Sequence, residues 1–251
     1  MLRLFKRRIK ADTPLVKDED VYVYQNKGYC PACDSAVVFR AKDPWLRDHY
    51  RCSKCSSWPR ERALAVAIEK YYPDWKQLLV HESSPCDRGT SVKLKMNCLG
   101  YSCSEYVPAT PLGDVVNGIR NESLENITYT DSSFDLFITQ DVMEHVFNPE
   151  KAFREIARVI KKGGAHIFTV PLVNKEKPSE RWAGPNTDGS INFLKSPEYH
   201  GPFPVTMHWG YDICDFIYRA SGLYTTIFLM ENPKLGIEAE YLEVLITRKP
   251  F

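Results

Sequence analysis

Two pairs of cysteines near the start of the chain constrain its fold more than any other feature. Cys30 and Cys33 form one C-x2-C pair, and Cys52 and Cys55 form the second after eighteen intervening residues. This spacing is typical of a zinc site with four thiolate ligands, because each pair can turn both sulfurs toward one ion. Four protein ligands leave no open coordination position, so we expect a structural zinc ion in a ribbon-like module at residues 29–57. Free thiols or a redox pair are the alternative.

Positive charges outnumber negative charges around these cysteines. Seven cations face four acids between residues 34 and 62. We predict a solvated surface, and a face that receives a phosphate-bearing substrate is the alternative. The cations are Arg40, Lys42, Arg47, Arg51, Lys54, Arg60 and Arg62.

The charge of the whole chain is nearly balanced. Thirty-three Lys and Arg face 32 Asp and Glu, a formal net charge of +1, which argues against a nucleic-acid partner. No stretch of eighteen apolar residues and no secretory leader pattern occurs, so we predict a cytoplasmic protein without a transmembrane segment. Five cations and several apolar residues share the first ten positions. That terminus is compatible with weak binding to an anionic membrane, although a solvated end is the alternative.

From residue 77 onward, strand-like and helix-like segments alternate along the chain. Such alternation predicts an α/β domain whose mostly parallel sheet carries helices on both faces. We expect a tail at 1–28, the cysteine module at 29–57, a linking helix at 58–76, and the main domain at 77–251 with an insertion at 173–206. Strands are predicted at 77–82, 101–106, 134–139, 165–170, 225–229 and 241–247, and helices at 89–96, 149–162 and 211–220.

Four short motifs follow one another between residues 131 and 171. They are Phe134-Asp135, Glu144-His145-Val146, Arg158-Val159-Ile160 and Lys162-Gly163-Gly164. In this order they resemble the type 11 branch of class I S-adenosylmethionine-dependent methyltransferases, over about residues 77–248. The resemblance implies a Rossmann-like sheet with an antiparallel last strand, and S-adenosylmethionine as the methyl donor. Lys162 stands where that family usually has proline.

The resemblance also implies where the methyl donor binds. Open α/β sheets bind ligands at the carboxyl ends of their strands, so contacts should follow the first, second and fourth strands. Glu82 holds the family's acidic position after the first strand, whereas Ser84 and Cys86 replace the glycines of the loop that follows. Glu105 is expected to accept hydrogen bonds from the ribose hydroxyls. The implied cofactor contacts are Glu82, Ser83, Ser84, Pro85, Gly89, Glu105, Tyr106, Ser123, Leu124, Gln140 and Asp141.

The insertion at 173–206 is expected to form a lid over the substrate, because connections of this length are uncommon unless functional. A hydroxyl acceptor must lose a proton during methyl transfer, and histidine is suited to take it. His208 is the first candidate, with His200 and His145 next. The alternative is that these histidines hold the lid by hydrogen bonds, or that His145 orients the cofactor or a carboxylate.

Three functional hypotheses follow. The leading one is O-methylation of a small molecule or of a sugar precursor, as in surface-polysaccharide biosynthesis. The second is an RNA methyltransferase whose zinc module binds nucleic acid. The near-neutral charge argues against it, and Gln140-Asp141-Val142-Met143 replaces the Asn/Asp-Pro-Pro-Tyr motif of exocyclic-amine chemistry. The third is a non-catalytic, zinc-dependent interaction protein, because the loop after the first strand has lost its glycines.

Overall fold

The computed structural model describes residues 21–188 and 190–251. The basic first ten residues, and both interpretations given for them, therefore lie outside the described residues. Within the part of the chain that the structure describes, no helix has the length and apolar character needed to cross a bilayer.

The cysteine module is built on a small antiparallel sheet. Its strands are β1 (Tyr24–Cys30), β2 (Ser35–Ala41) and β3 (Arg51–Cys52), in that spatial order, with helix α1 (Leu46–His49) before β3. β1 begins inside the segment expected to be a tail. The cause is aromatic packing, since the Tyr24 ring lies 5.2 Å from that of buried Tyr50 in an edge-on arrangement.

Helix α2 (Pro59–Tyr71) leads from this module into the main domain. Its first turn contains Pro59, whose missing N–H costs nothing there, and the Glu61 carboxylate accepts a bond from the backbone N–H of Trp58 at 3.1 Å. A 3-10 turn at Trp75–Gln77 follows. The predicted linking helix therefore exists, but it is shorter than residues 58–76.

One eight-stranded sheet forms the main domain. Its spatial order is β16-β17-β9-β8-β4-β5-β7-β6. β17 runs antiparallel to both of its neighbours, and β6 pairs antiparallel with β7, while the other pairs are parallel. The strands are β4 (Leu79–Ser83), β5 (Gly100–Glu105), β6 (Val115–Val116), β7 (Ile119–Asn121), β8 (Phe134–Gln140), β9 (Ile160–Thr169), β16 (Tyr224–Phe228) and β17 (Val244–Arg248).

Helices cover both faces of this sheet. α2 and α3 (Gly89–Asn97) pack on one face, and α4 (Pro149–Val159) and α5 (Ile213–Ser221) pack on the other. Alternate residues of β8 divide between the two cores: Phe137 belongs to one, and Leu136 and Ile138 to the other. The predicted mostly parallel, Rossmann-like sheet with an antiparallel last strand is confirmed.

One predicted helix end is wrong, and one hairpin was not predicted, each for an identifiable reason. α4 ends at Val159, before the predicted stop at Gly163-Gly164, because Ile160 already begins β9 and pairs with Phe134. Gly163 adopts φ 78° inside that irregular strand, a conformation that glycine adopts at little cost. The β6–β7 hairpin was not predicted, since strands of two and three residues contain too little pattern to recognise.

The insertion forms three small two-stranded pairs. β10 (Glu180–Arg181) pairs with β15 (Met207–His208), β11 (Ala183–Pro185) with β12 (Ile191–Phe193), and β13 (Tyr199–His200) with β14 (Phe203–Pro204). A 3-10 turn at Pro233–Leu235 precedes the last strand.

A buried arginine joins the cysteine module to the main domain. Arg62 has 0% of its surface exposed, which contradicts the solvated surface predicted for this group of cations. Its guanidinium donates to the carbonyl oxygens of Tyr50 at 3.0 Å, Gly236 at 2.6 Å, and Ser57. The Ser57 carbonyl also accepts from the Cys52 N–H at 3.1 Å, whereas Arg62 is the donor to the buried carbonyls of Tyr50 and Gly236. Without it these two acceptors would be unpaired, which is costly. Arg62 therefore fastens α2 between β3 and the 3-10 turn near the end of the chain.

Replacing Arg62 by Met should lower the free energy of unfolding by about 3 kcal/mol, since it leaves these carbonyls without a charged donor. Chemical denaturation with urea measures the change. Arg154→Met is the control, because Arg154 forms an exposed pair with Glu150 on α4 and should cost less than about 1 kcal/mol. Equal stabilities of the two variants would contradict the role given to Arg62.

Candidate functional site

The strand register brings the predicted cofactor residues to one edge of the sheet. Ser83 of β4 pairs with Ser104 of β5 on one side and with Thr139 of β8 on the other. The next residues therefore lie side by side at the carboxyl ends of these strands: Ser84 follows β4, and Glu105 and Gln140 end β5 and β8. Strand order reverses at this place. Open α/β sheets bind ligands in this crevice.

Glu82 connects the elements around the crevice. Its buried carboxylate accepts hydrogen bonds from Ser91 Oγ at 2.7 Å, Gln140 Nε2 at 2.7 Å and Tyr101 Oη at 2.8 Å. These partners belong to α3, β8 and β5. Burial raises the pKa of Glu82 above its usual range, and the three donors oppose this shift without cancelling it. The structure thus gives Glu82 a positioning role beneath the edge.

The loop after β4 turns sharply toward α3. Ser84 adopts φ 55°, and its N–H donates to Ser104 O at 2.8 Å. Burial raises the pKa of the half-buried Glu105 carboxylate, and the nearby Ser84 hydroxyl opposes this shift. Gly89, at φ 55°, begins α3, and a Cβ there would lie 2.3 Å from Glu61 Oε2. Only glycine allows the first turn of α2 to approach the loop this closely.

The remaining predicted cofactor residues lie around the same edge, with different exposure. Ser83 is buried within β4, and Tyr106 is largely exposed beyond β5. Ser123 forms an isolated bridge with Asn126 beyond β7, and Leu124 packs into the core on the α4 side. Pro85 follows Ser84 in the turn.

Asp141 is held by two arginines from the N-terminal part of the chain. Its Oδ2 lies 2.9 Å from Arg47 Nη2 and 2.6 Å from Arg60 Nε, while Oδ1 accepts from Thr169 Oγ1 at 2.9 Å. Burial raises the pKa of Asp141, but Arg47 and Arg60 outweigh it and hold the pKa below its usual range. The predicted solvated surface is therefore also wrong for Arg47 and Arg60, which are buried because they pair with this carboxylate.

Asp141 also adopts φ 51°, as Ser84 adopts a positive φ at the neighbouring strand end. Left-handed conformations are uncommon outside glycine and cluster at functional sites. Two of them therefore flank the point where strand order reverses.

Of the three predicted catalytic histidines, His200 lies in β13 and His208 in β15 of the insertion, and His145 packs against His200. The rings of His145 and His200 meet edge-on at 5.2 Å. His208 stacks on Trp182 at 3.8 Å and bonds Glu198 Oε2 at 2.9 Å, while Glu198 Oε1 lies 3.7 Å from His200 Nε2. Glu198 therefore links His208 to the pair formed by His145 and His200.

Glu144 lies at the centre of this group. It is 1% exposed, and neither carboxylate oxygen has a hydrogen-bond partner among the described residues. Burial and the nearby Asp141 charge raise the pKa of Glu144, and burial lowers the pKa of His145. A carboxylate without donors in such a site favours a bound proton or a cation.

Sequence reasoning did not assign roles to several residues of this site. The sequence did contain signals for three of them. Glu144 is part of the Glu144-His145-Val146 motif, and Arg47 and Arg60 belong to the cationic group around the cysteines. Trp58 had no signal, yet its ring lies under the guanidinium groups of Arg60 at 4.3 Å and Arg88 at 3.7 Å. It packs beside the loop that precedes α3.

The four cysteines of the two pairs converge on one point. The sulfurs of Cys30 and Cys55 are 3.7 Å apart, those of Cys33 and Cys52 are 3.9 Å apart, and all four lie within 4.8 Å of one another. A tetrahedral zinc ion with Zn–S bonds of about 2.3 Å requires sulfur separations of about 3.8 Å. Two of the sulfur separations match this value, so the four thiols offer the ligands and the approximate spacing of a zinc site. The Gly89 N–H donates to Cys55 O at 3.4 Å, so this group also contacts the start of α3.

Comparison with known proteins gives a family match over part of the main domain. Residues 97–168 match the methyltransferase domain family, Methyltransf_11. The sarcosine/dimethylglycine N-methyltransferase of Halorhodospira halochloris is 38% identical over 60 residues, which are 24% of this chain and 22% of that protein. The dimethylglycine N-methyltransferase of Parasynechococcus marenigrum is 33% identical over 54 residues, 22% of this chain and 19% of that protein. The chain thus spans about a fifth of the length of these relatives.

Solved structures show a distant similarity. An S-adenosylmethionine-dependent methyltransferase from Mesorhizobium loti has a TM-score of 0.45 at 16% identity, covering 74% of this chain and 96% of that chain. The 1,6-didemethyltoxoflavin-N1-methyltransferase of Burkholderia thailandensis has a TM-score of 0.45 at 12% identity, covering 76% and 80%. The match to the methyltransferase domain family thus covers residues 97–168, and the sheet that contains them has a mostly parallel, Rossmann-like strand order.

Proposed function

We propose that the protein transfers a methyl group from S-adenosylmethionine to a small molecule. The observation that carries this proposal is the carboxyl edge of β4, β5 and β8, where Ser84, Glu105 and Gln140 lie at neighbouring strand ends; Glu105 and Gln140 also fall within the family match at 97–168. Glu105 would hold the ribose hydroxyls, while Glu82 fixes the positions of Gln140 and Tyr101 from below. Methyl transfer needs mainly alignment of donor and acceptor, which such a rigid edge provides.

The acceptor would bind between this edge and the insertion. The Thr206 hydroxyl and N–H both donate to Glu144 O, at 3.0 and 2.7 Å, so the insertion packs directly on the segment after β8. In this proposal His145, His200 or His208 would take the proton that leaves a hydroxyl or ammonium acceptor. O-methylation of a sugar or other small molecule is our proposal. The names of the two relatives make an amine the second candidate.

The cysteine module would hold a structural zinc ion through Cys30, Cys33, Cys52 and Cys55. Zinc would keep β3 and the start of α2 together, and Arg47 and Arg60 project from this region to Asp141. The module therefore supports the carboxyl end of β8. We also propose a cytoplasmic location, since reduced thiols are needed to bind the ion.

Glu105→Ala should weaken binding of S-adenosylhomocysteine about 10- to 100-fold, because hydrogen bonds to a charged acceptor contribute about 1.5–3 kcal/mol. Isothermal titration calorimetry measures the dissociation constant. Glu150→Ala is the control, since Glu150 lies exposed on α4. Unchanged affinity in Glu105→Ala would remove Glu105 from the cofactor site. No binding by the wild-type protein at millimolar concentration would favour the non-catalytic alternative, and RNA binding that falls steeply with salt would favour the nucleic-acid alternative.

Cys33→Ser should abolish zinc binding, because three thiolates and a hydroxyl do not hold the ion as tightly as four thiolates. Mass spectrometry of the dialysed protein should find about one zinc per chain in the wild type and far less in the variant. Cys86→Ser, which changes a cysteine outside the cluster, should retain the metal. Wild-type protein without zinc, or equal zinc in Cys33→Ser, would contradict the assignment.

A further inference from the structure

Glu144, His145 and His200 direct three ligand atoms at one small volume. His145 Nε2 lies 3.8 Å from Glu144 Oε1, and His200 Nδ1 lies 3.9 Å from the same oxygen. The three ligand atoms all lie within 4.8 Å of one another. Metal–ligand bonds of about 2.1 Å in tetrahedral geometry require separations of about 3.4 Å. The two nitrogen–oxygen separations are therefore about half an ångström longer than this value, and a shift of His200 within the insertion would bring the three ligand atoms closer together.

The carboxylate of this group lacks a compensating partner. Both oxygens of Glu144 are buried without a hydrogen bond among the described residues. The nearby Arg47 and Arg60 bind Asp141 and form no ion pair with Glu144 among the described residues, although Nη1 of Arg47 is also buried without a hydrogen-bond partner. Burying a carboxylate without donors or a counter-ion is costly, so this position favours a cation.

The tautomer of His145 also suits a metal ligand. Its Nδ1 lies 2.8 Å from Pro204 O, and a carbonyl oxygen can only accept, so Nδ1 must carry the proton. Nε2 then presents a lone pair toward Glu144. Metal-binding histidines are commonly oriented in this way, with the other ring nitrogen donating to a backbone carbonyl.

His200 leaves one side of the group open. Its side chain is 48% exposed, whereas Glu144 and His145 lie beneath it. Two imidazoles and one carboxylate occupy three positions, and the remaining positions would face the solvent side under the insertion. This ligand set suits a divalent first-row transition metal such as Mn²⁺, Fe²⁺, Co²⁺ or Zn²⁺.

We propose that Glu144, His145 and His200 form a second metal site, which binds a divalent transition-metal ion with open coordination positions. This site is chemically separate from the four thiolates, because it offers nitrogen and oxygen ligands. If the proposed methyl transfer holds, an acceptor hydroxyl bound to this ion would lose its proton more readily. That last role rests on the proposed function, but metal binding itself does not.

Titration of the zinc-loaded protein with Mn²⁺, followed by electron paramagnetic resonance, tests the site. Mn²⁺ prefers oxygen and nitrogen ligands and should not displace zinc from thiolates. We expect about one Mn²⁺ per chain in the wild type. His200→Ala and Glu144→Gln should each weaken its binding at least tenfold. His49→Ala, an exposed histidine of α1, is the matched control and should bind like the wild type.

No Mn²⁺ binding by the wild type up to millimolar concentration would overturn the proposal, as would unchanged affinity in His200→Ala. Because His200 is exposed in the insertion, His200→Ala should fold. It therefore tests metal binding even if Glu144→Gln fails to fold. Titration with S-adenosylhomocysteine separates the two proposals. Binding of S-adenosylhomocysteine without binding of Mn²⁺ refutes only the metal site. Binding of Mn²⁺ without binding of S-adenosylhomocysteine refutes only the methyl-transfer function.

Discussion

The carboxylate of Asp141, held between two arginines, is the interaction on which the arrangement of the site depends. Asp141 follows the central strand β8, while Arg47 and Arg60 come from α1 and the first turn of α2. A buried carboxylate is stable only with such partners, and each arginine in turn needs the carboxylate. The cysteine module is therefore held at the carboxyl edge of the sheet by charge pairing. Arg60 also pairs with Asp48 at 2.9 Å, whereas Asp141 is the carboxylate that pairs with Arg47 among the described residues.

Two buried glutamates at this edge have opposite environments. Glu82 is hydrogen-bonded by three side chains, and it fixes the relative positions of α3, β5 and β8. Glu144 is as deeply buried, but no donor reaches it within the described residues. A satisfied carboxylate organises its surroundings, whereas an unsatisfied one is available to a proton or an ion. This contrast separates the supporting part of the site from the part that is able to react.

The features that could be predicted from the sequence are those with local signals. The cysteine pairs and the strand segments β4, β5 and β8 are recognisable within a few residues. The cap of α4 is recognisable too, and the Asn148 side chain indeed accepts from Lys151 N at 3.1 Å. Arg47 and Asp141 are 94 residues apart, so no local pattern reveals their pairing. The cations near the cysteines were expected in solvent because their partners are distant in sequence. Glu144 shows the same limit, since its isolation depends on what surrounds it in three dimensions.

The contacts between the cysteine module and the end of the chain affect the order in which the protein can assemble. The Tyr24 hydroxyl donates to Glu238 at 2.6 Å across 214 positions, and Asn26 Nδ2 donates to Pro233 O at 2.8 Å across 207. During synthesis the cysteine module leaves the ribosome about 200 residues before these acceptors do. Contacts so distant along the chain form late, because a long loop must close before they contribute. The cysteine module is therefore made well before the segment that fixes its final position.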